Sequence, residues 1–232
     1  MDKRRFSLGE AFWSFFFPLF CPGCRVQLTP YESPCCLDCQ AQLPFTHFEN
    51  FPNNPVFQKL HALLEIQYAS ALFYWEEGVI IQNLIHQLKF YGQEQLGTWL
   101  GVLLGQRLLG SPFEQCTGIV PLPLHPKRQY RIGYNQNYNI CTQLSKILNI
   151  PMYQTAVYRI KNTQQLSKNK TQDRFHEMKN AFMPNTEINP KKPHWLLIDD
   201  VLTTGATVQS CGNALLNFPH ARLSIITIAC RM

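Results

Sequence analysis

The segment from Leu196 to Val208, LLIDDVLTTGATV, constrains the fold more than any other part of this 232-residue chain. An unbroken apolar strand ends in two adjacent carboxylates, Asp199 and Asp200, and a turn rich in threonine and glycine then opens a helix. Strands that are apolar along their whole length are typical of parallel sheets covered on both faces. The segment therefore predicts one strand-turn-helix unit of an α/β domain, with polar residues at the carboxyl end of the strand.

Strand and helix patterns alternate through the rest of the chain from residue 68 onward. The predicted strands are Tyr68–Trp75, Gly118–Leu124, a short one near Met152–Tyr158, His194–Asp199 and Leu223–Ala229. Ile81, Leu84, Ile85 and Leu88 share one helical face, and further helices are predicted at Gln93–Leu109, at Asn135–Asn149 and from Gly205. This alternation predicts a parallel sheet with helices on both faces.

Residues 1–60 have a different composition, rich in Cys, Pro, Phe and Asn, and end in the loop-like run Phe48–Pro55. We expect a small module here and an α/β domain over residues 61–232.

Five of the nine cysteines lie between positions 21 and 39. Cys21 and Cys24 form one CxxC pair, and Cys36 and Cys39 form a second. Two such pairs supply four thiolates for a tetrahedral zinc ion, and no position is left for substrate, which predicts a structural Zn²⁺ site. Cys35 is the alternative fourth ligand, but the CxxC spacing favours Cys36. Metal binding would also supply the folding energy of a module with so little apolar content.

The cysteine count and the N-terminus together indicate a reducing compartment. Nine is an odd number, and a secreted disulfide framework would be paired and spread along the chain. The apolar run Ala11–Phe20 follows a basic cluster, but it is too short to span a bilayer and lacks small residues for signal cleavage. We expect an apolar N-terminal helix that docks on the body, a cytoplasmic protein and no stable membrane insertion.

The turn after the acidic pair has the chemistry of a phosphate cradle. A helix N-terminus attracts anions, Gly205 allows close backbone approach, and Thr203, Thr204 and Thr207 add hydroxyl donors beside Ala206. The turn lacks the ending of a Walker loop and the GxGxxG of a dinucleotide fingerprint. Because carboxylates would repel a phosphate, ribose hydroxyls or a hydrated magnesium ion are expected between them.

These residues resemble the phosphoribosyl pyrophosphate (PRPP) motif of type I phosphoribosyltransferases. The resemblance implies that Asp199 and Asp200 hold the ribose hydroxyls, that residues 203–207 bind the 5′-phosphate, and that Mg²⁺ accompanies PRPP.

Two further runs and the cysteine module resemble the ComF (GntX-like) branch of that family. The runs are VPLPLHPKRQYRIGYNQ (Val120–Gln136) and TQQLSKNKTQDR (Thr163–Arg174). The branch usually has Arg-Gly-Phe-Asn-Gln where this chain inserts Ile132 after Arg131 and has Tyr134 in place of Phe. The resemblance makes Lys127 and Arg128 candidates for pyrophosphate contacts and makes residues 159–174 a mobile loop over the site.

The middle of the chain is basic. Between His125 and Asn180, ten basic residues face two acidic ones, a balance of +8 in a chain whose total is +6. Such a segment suits an anionic partner. Lys127, Arg128, Arg131 and Arg174 are therefore candidates for pyrophosphate or DNA contacts.

Two functions follow from the resemblance. The first is a PRPP-binding protein of natural competence that handles imported single-stranded DNA with a helicase-like ATPase partner. Its strand-binding surface would combine basic residues with the interleaved tyrosines, for which ordinary core packing is the alternative. The second is an active phosphoribosyltransferase of nucleotide salvage, with an acceptor base that the sequence does not identify.

Overall fold

The computed structural model describes residues 18–29, 34–75, 79–90, 94–126, 129–130, 133–160 and 181–231. The helices with described bounds are α1 (Leu37–Ala41), α2 (Pro55–His61), α3 (Val79–Phe90), α4 (Glu94–Leu108), α5 (Gln136–Leu148) and α6 (Ala206–Leu216). The strands are β1 (Tyr68–Tyr74), β2 (Gly118–Pro121), β3 (Val157–Arg159), β4 (Phe182–Pro184), β5 (His194–Leu202) and β6 (Arg222–Cys230). Single 3₁₀ turns occupy Phe48–Asn50 and Pro112–Gln115.

Four of these strands form one parallel sheet in the order β1-β6-β5-β2. Helices cover both faces, so the prediction of an α/β fold with a parallel sheet is confirmed. The strands are buried almost throughout, which explains why they are unbroken apolar runs in the sequence.

Two apolar clusters, one on each face of the sheet, form the core. One unites α3, α4 and α5 with residues such as Ile119 and Ile198, and the other unites α2 and α6 with residues such as Val120 and Leu197. The helices that follow the neighbouring strands β2 and β5 therefore lie on opposite faces. This is the topological switch point at which open α/β sheets bind ligands, beyond the carboxyl ends of the strands.

The region predicted as a short strand near Met152–Tyr158 is divided in two. Met152 makes a single parallel bridge to Ile119, whereas Val157 begins β3, which pairs with β4 in a separate two-stranded antiparallel sheet. The prediction of one strand was wrong because a turn at residues 154–156 interrupts it. The predicted strand Gly118–Leu124 is also shorter, ending at Pro121, since prolines at 121 and 123 cannot donate ladder hydrogen bonds.

Helices α4 and α5 approach closely along a glycine stripe. Gly97, Gly101 and Gly105 are one turn apart on α4, and all three face α5. A Cβ added at Gly101 would lie 2.7 Å from the carbonyl oxygen of Ile140. The close packing fixes the position of α5, whose first turn contributes to the site described below.

The described N-terminal residues pack on the same core. Cys21, Cys39 and Leu43 belong to the apolar cluster that contains α3 and α4. A division at residue 60 stays a prediction, and so does the N-terminal docking helix, because residues 1–17 lie outside the described part of the chain. None of the described helices is long and apolar enough to cross a bilayer.

Candidate functional site

The four cysteines of the two CxxC pairs converge on one point. The Sγ atoms of Cys21, Cys24, Cys36 and Cys39 all lie within 4.8 Å of one another, and those of Cys24 and Cys36 are 3.6 Å apart. Tetrahedral Zn–S bonds of about 2.3 Å would place the sulfur atoms roughly 3.8 Å apart, so the geometry suits such an ion. The cluster could hold a metal ion with all four ligands from the protein.

Cys35 lies beside this cluster without joining the set of four. Its Sγ atom is 3.7 Å from that of Cys21, and its side chain is buried. The backbone N–H of Cys36 donates to the Cys21 sulfur at 3.5 Å, as expected where a thiolate has to be stabilised. All nine cysteines are in the described part of the chain, and none of them forms a disulfide.

The cysteine cluster is attached to helix α3. The Asn83 side-chain amide donates to the carbonyl oxygen of Gly23 at 2.7 Å. A Cβ at Gly23 would meet the side chains of Cys39 and Ile80. The first CxxC turn is therefore fitted against α3, the helix that runs towards the acidic pair.

The acidic pair lies near the end of β5, at the switch point. Asp199 and Asp200 are 8% and 6% exposed, so two carboxylates are buried side by side. Successive side chains of a strand point to opposite faces, and the two residues accordingly have different surroundings. Such burial is costly for carboxylates and is common where a ligand completes the site.

Asp200 is held at both oxygens from the face that carries α3 and α5. The Lys89 ammonium lies 3.0 Å from Oδ1, and the Gln136 side-chain amide donates to Oδ2 at 2.9 Å. Lys89 is near the end of α3, and Gln136 is the first residue of α5. The carboxylate thus has a fixed orientation and a counter-charge.

Asp199 is in a more unfavourable position for a charge. Burial raises its pKa from 3.8 to about 7, and the negative charge of Asp200 acts in the same direction. The backbone N–H of Asp200, which donates to Asp199 Oδ1 at 2.8 Å, and the positive charges of Lys89 and Arg159 oppose that shift of the pKa. Asp199 is therefore poised to change its ionisation near neutral pH when a hydrogen-bond donor or a cation arrives.

The turn after β5 contains a glycine at a position where a Cβ would lie 2.8 Å from the Leu63 side chain. Gly205 has φ +84°, in the left-handed region, and precedes the first residue of α6. The N–H of Ala206 donates weakly to the Thr204 hydroxyl at 3.4 Å. Thr203 is exposed, and Thr204 and Thr207 are half-buried, so hydroxyls and the first N–H groups of the helix share one end of the sheet.

The first residues of α5 and its N-cap bring side-chain amides to the same end of the sheet as the threonine-rich turn. Asn135 caps α5 by accepting from the N–H of Asn137 at 3.0 Å, and its own amide donates to the carbonyl of Leu122 at 3.1 Å. Gln136 Oε1 and Asn137 Oδ1 are buried acceptors that have no hydrogen-bond partner among the described residues. Buried oxygens without partners are rare in proteins, and these two could accept hydrogen bonds from a ligand at this end of the sheet.

Known proteins are similar to most of this chain. It is 31% identical over 213 residues to the DNA utilization protein YhgH of Escherichia coli, covering 88% of this chain and 81% of that protein. It is 29% identical over 199 residues to competence protein F of Haemophilus influenzae, covering 84% and 83%. The YhgH protein of Salmonella typhimurium is 32% identical over 148 residues, covering 61% and 63%. No family model matches the chain.

The chain belongs to the competence protein F (ComF) family. The resemblance found in the sequence is confirmed, and the cysteine cluster fits the zinc module expected of it.

Several predicted residues of this ComF-family chain lie outside the described residues. They are Lys127, Arg128, Arg131, Arg174 and the expected mobile loop from residue 161 onward. Arg159, predicted as the first loop residue, is the last residue of β3. Its guanidinium lies over the Phe182 ring, 5.5 Å from the centroid.

The sequence patterns did not identify Lys89 or Gln136 as site residues. Gln136 belongs to the run that resembles ComF, which could have indicated it, whereas Lys89 only follows the apolar face of α3. Its proximity to Asp200 depends on tertiary packing that no local pattern reveals.

Proposed function

We propose that this ComF-family protein binds PRPP with Mg²⁺ at the carboxyl ends of β2 and β5. We further propose that it acts in natural competence and handles imported single-stranded DNA. The observation that carries the PRPP proposal is the buried pair Asp199 and Asp200, followed directly by the left-handed Gly205 and the N-terminus of α6.

The chemistry of PRPP suits this arrangement. Vicinal ribose hydroxyls can donate hydrogen bonds to Asp199 and Asp200, and such a donor would favour the ionised form of Asp199. The 5′-phosphate would accept hydrogen bonds from the threonine hydroxyls and from the first N–H groups of α6. Mg²⁺ would neutralise the diphosphate, and Zn²⁺ is the metal we propose for the cysteine cluster.

The DNA part of the proposal rests on family and charge. One relative is named for competence and another for DNA utilization. The basic segment from His125 to Asn180, with its balance of +8, would bind a strand through phosphate contacts. A helicase-like ATPase is the partner we propose for this step.

Calorimetric titration with Mg²⁺–PRPP tests the PRPP proposal. The double variant Asp199→Asn, Asp200→Asn should bind at least tenfold more weakly, a loss of about 1.4 kcal/mol. Glu114→Gln is the matched control, because Glu114 is an exposed carboxylate in the 3₁₀ turn before β2, at the opposite end of the strands from the acidic pair. Equal affinities in wild type and double variant would exclude the site.

Single-stranded oligonucleotides test the DNA proposal. The affinity should be similar for oligonucleotides of different sequence. It should fall as the salt concentration rises, because each phosphate that the protein neutralises releases about 0.7 counterion from a single strand. Charge reversal at Lys127, Arg128 and Arg131 should lower both the affinity and its salt slope, while the Asp199 and Asp200 changes should lower neither. Binding that is absent at low salt, or indifferent to the reversals, would contradict this part.

The same buried acids also fit catalysis, with an acceptor nitrogen that bonds to ribose C1 while the bond to the diphosphate oxygen breaks. We retain a salvage phosphoribosyltransferase as the alternative function. Pyrophosphate release, measured with a panel of free bases, separates the two: steady turnover with one base establishes the enzyme, and its absence favours a binding role.

A further inference from the structure

Lys89 brings a positive charge to the acidic pair from an element remote in sequence. Its Nζ atom lies 3.0 Å from Asp200 Oδ1, and its side chain is 25% exposed, against 9% for Asp200. The preceding apolar residues of α3, Ile85 and Leu88 among them, are buried in the core, so the helix cannot easily shift. The ammonium therefore stands between the buried carboxylate and the solvent.

Two contacts hold α3 in this position, one in its last turn and one in its N-terminal half. The Tyr134 hydroxyl donates to the carbonyl oxygen of Leu88 at 2.5 Å. That carbonyl is in the last turn of α3, where helix carbonyls lack intrahelical partners. The hydroxyl of Tyr134 therefore places a hydrogen bond on the residue next to Lys89. In the N-terminal half of α3, Asn83 binds the first CxxC turn.

The ion pair between Lys89 and Asp200 is not needed for stability alone. Burying two charges costs about as much as their attraction returns, and an apolar pair of similar size would serve as well. A Lys ammonium also has three N–H donors, and Asp200 Oδ1 uses one of them. A polyanion that enters a site with two carboxylates requires cations placed there in advance. Among the described residues, Lys89 and Arg159 carry the positive charges that act on Asp199.

We propose that Lys89 binds the diphosphate of PRPP. In this proposal α3 contacts the diphosphate, whereas the turn after β5 contacts the 5′-phosphate at the other end of the ligand. This inference rests on the proposed PRPP function and names a residue for one part of the ligand. In the free protein Lys89 neutralises Asp200. When the ribose hydroxyls donate to Asp200, the ammonium turns its remaining donors to the diphosphate oxygens. Lys89 would then distinguish PRPP from ribose 5-phosphate, which lacks the diphosphate.

Calorimetry with two probes tests this role. Lys89→Met should weaken Mg²⁺–PRPP binding at least tenfold but change ribose 5-phosphate binding, measured by competition, less than threefold. Lys89→Arg keeps the charge and should lose less PRPP affinity than Lys89→Met. Lys146→Met is the matched control, since Lys146 is exposed in the last turn of α5 and should leave both ligands unaffected.

Lys89→Met alone leaves the Asp200 carboxylate buried without its counter-charge, so this variant could fold poorly. The same substitution is therefore also made in a protein whose Asp200 is already neutral. The variant Asp200→Asn removes that charge, and adding Lys89→Met to it should again lower PRPP affinity and spare ribose 5-phosphate.

The outcomes separate the two proposals. Unchanged PRPP affinity in both Lys89→Met backgrounds overturns the role of Lys89 and leaves the PRPP function intact. Equal losses for PRPP and ribose 5-phosphate also overturn it, since Lys89 would then only orient Asp200. A wild-type protein that does not bind PRPP overturns both.

Discussion

At the scale of single residues, the site depends on two neighbouring carboxylates that the strand directs to different surroundings. Asp200 has a lysine and an amide as partners, whereas Asp199 accepts a backbone N–H and stays buried beside a second negative charge. Functional sites often retain such unfavourable groups at a cost to stability. The free protein should therefore be less stable with Asp199 ionised than with Asp199 neutral, because burial and the charge of Asp200 both raise the pKa of Asp199.

Asp199→Asn should accordingly stabilise the free protein at alkaline pH. The native pKa of Asp199, about 7, exceeds its unfolded value near 3.8, so the native state binds the proton more tightly. This contribution to stability is complete below about pH 4 and is lost as pH rises to 7. Asparagine cannot ionise, and the variant should gain up to about 4 kcal/mol over wild type at pH 8, with the difference shrinking towards pH 4.

Urea unfolding of both proteins between pH 4 and 8 measures this, with Glu114→Gln as the control that should show no such trend. A variant that is less stable than wild type at pH 8 would contradict the burial of an unfavourable charge.

At the scale of elements, the position of α5 depends on the glycine stripe of α4. Gly101→Ala would place its Cβ 2.7 Å from the Ile140 carbonyl oxygen and 2.9 Å from its Cα, so the backbone of α5 must move. Overpacking of this kind costs typically 1–3 kcal/mol, against a gain of about 1 kcal/mol from alanine in a helix. The net loss should then be up to about 2 kcal/mol. PRPP binding should also weaken, because Gln136 is the first residue of α5.

Gly97→Ala is the matched control for this substitution. The Cβ added at position 97 would lie 3.1 Å from the Asn139 Cβ, which is a milder contact than the one at position 101. The helix propensity of alanine should offset this smaller strain. Denaturant unfolding of the two variants compares them directly. Equal stabilities would show that the close contact at Gly101 does not hold α5 in place.

Patterns within one element could be predicted from the sequence, while contacts between elements could not. The face of Ile81, Leu84, Ile85 and Leu88 predicted α3, and all four are buried. The run Leu196–Val208 predicted β5, the acidic pair and the start of α6. Lys89 was not recognised because its partner Asp200 comes from a distant strand, and β3 was not separated from Met152 because a three-residue turn has little compositional signal.

At the scale of the whole molecule, the cysteine cluster and the acidic pair are joined through α3. Asn83 contacts the first CxxC turn, and Lys89, less than two turns further on, contacts Asp200. Loss of the metal should therefore affect the ligand site as well as the fold of the N-terminal part.

We expect one tightly bound zinc ion per chain. Elemental analysis after dialysis against a mild chelator should give a ratio near one, and Cys24→Ser should yield insoluble protein because the metal supplies folding energy. Cys35→Ser should retain the metal and Cys36→Ser should lose it. Of these two cysteines, Cys36 alone belongs to the four whose sulfur atoms converge. Metal-free protein that stays fully folded would contradict the assignment.

The central claim is that PRPP binds where β5 ends, and a crystal structure of the protein with Mg²⁺–PRPP tests it most directly. The account predicts the ribose hydroxyls within hydrogen-bond distance of Asp199 and Asp200, with the 5′-phosphate at the backbone N–H groups that follow Thr203. Density for PRPP elsewhere on the protein, with Asp200 still bound to Lys89 and Gln136, would contradict it.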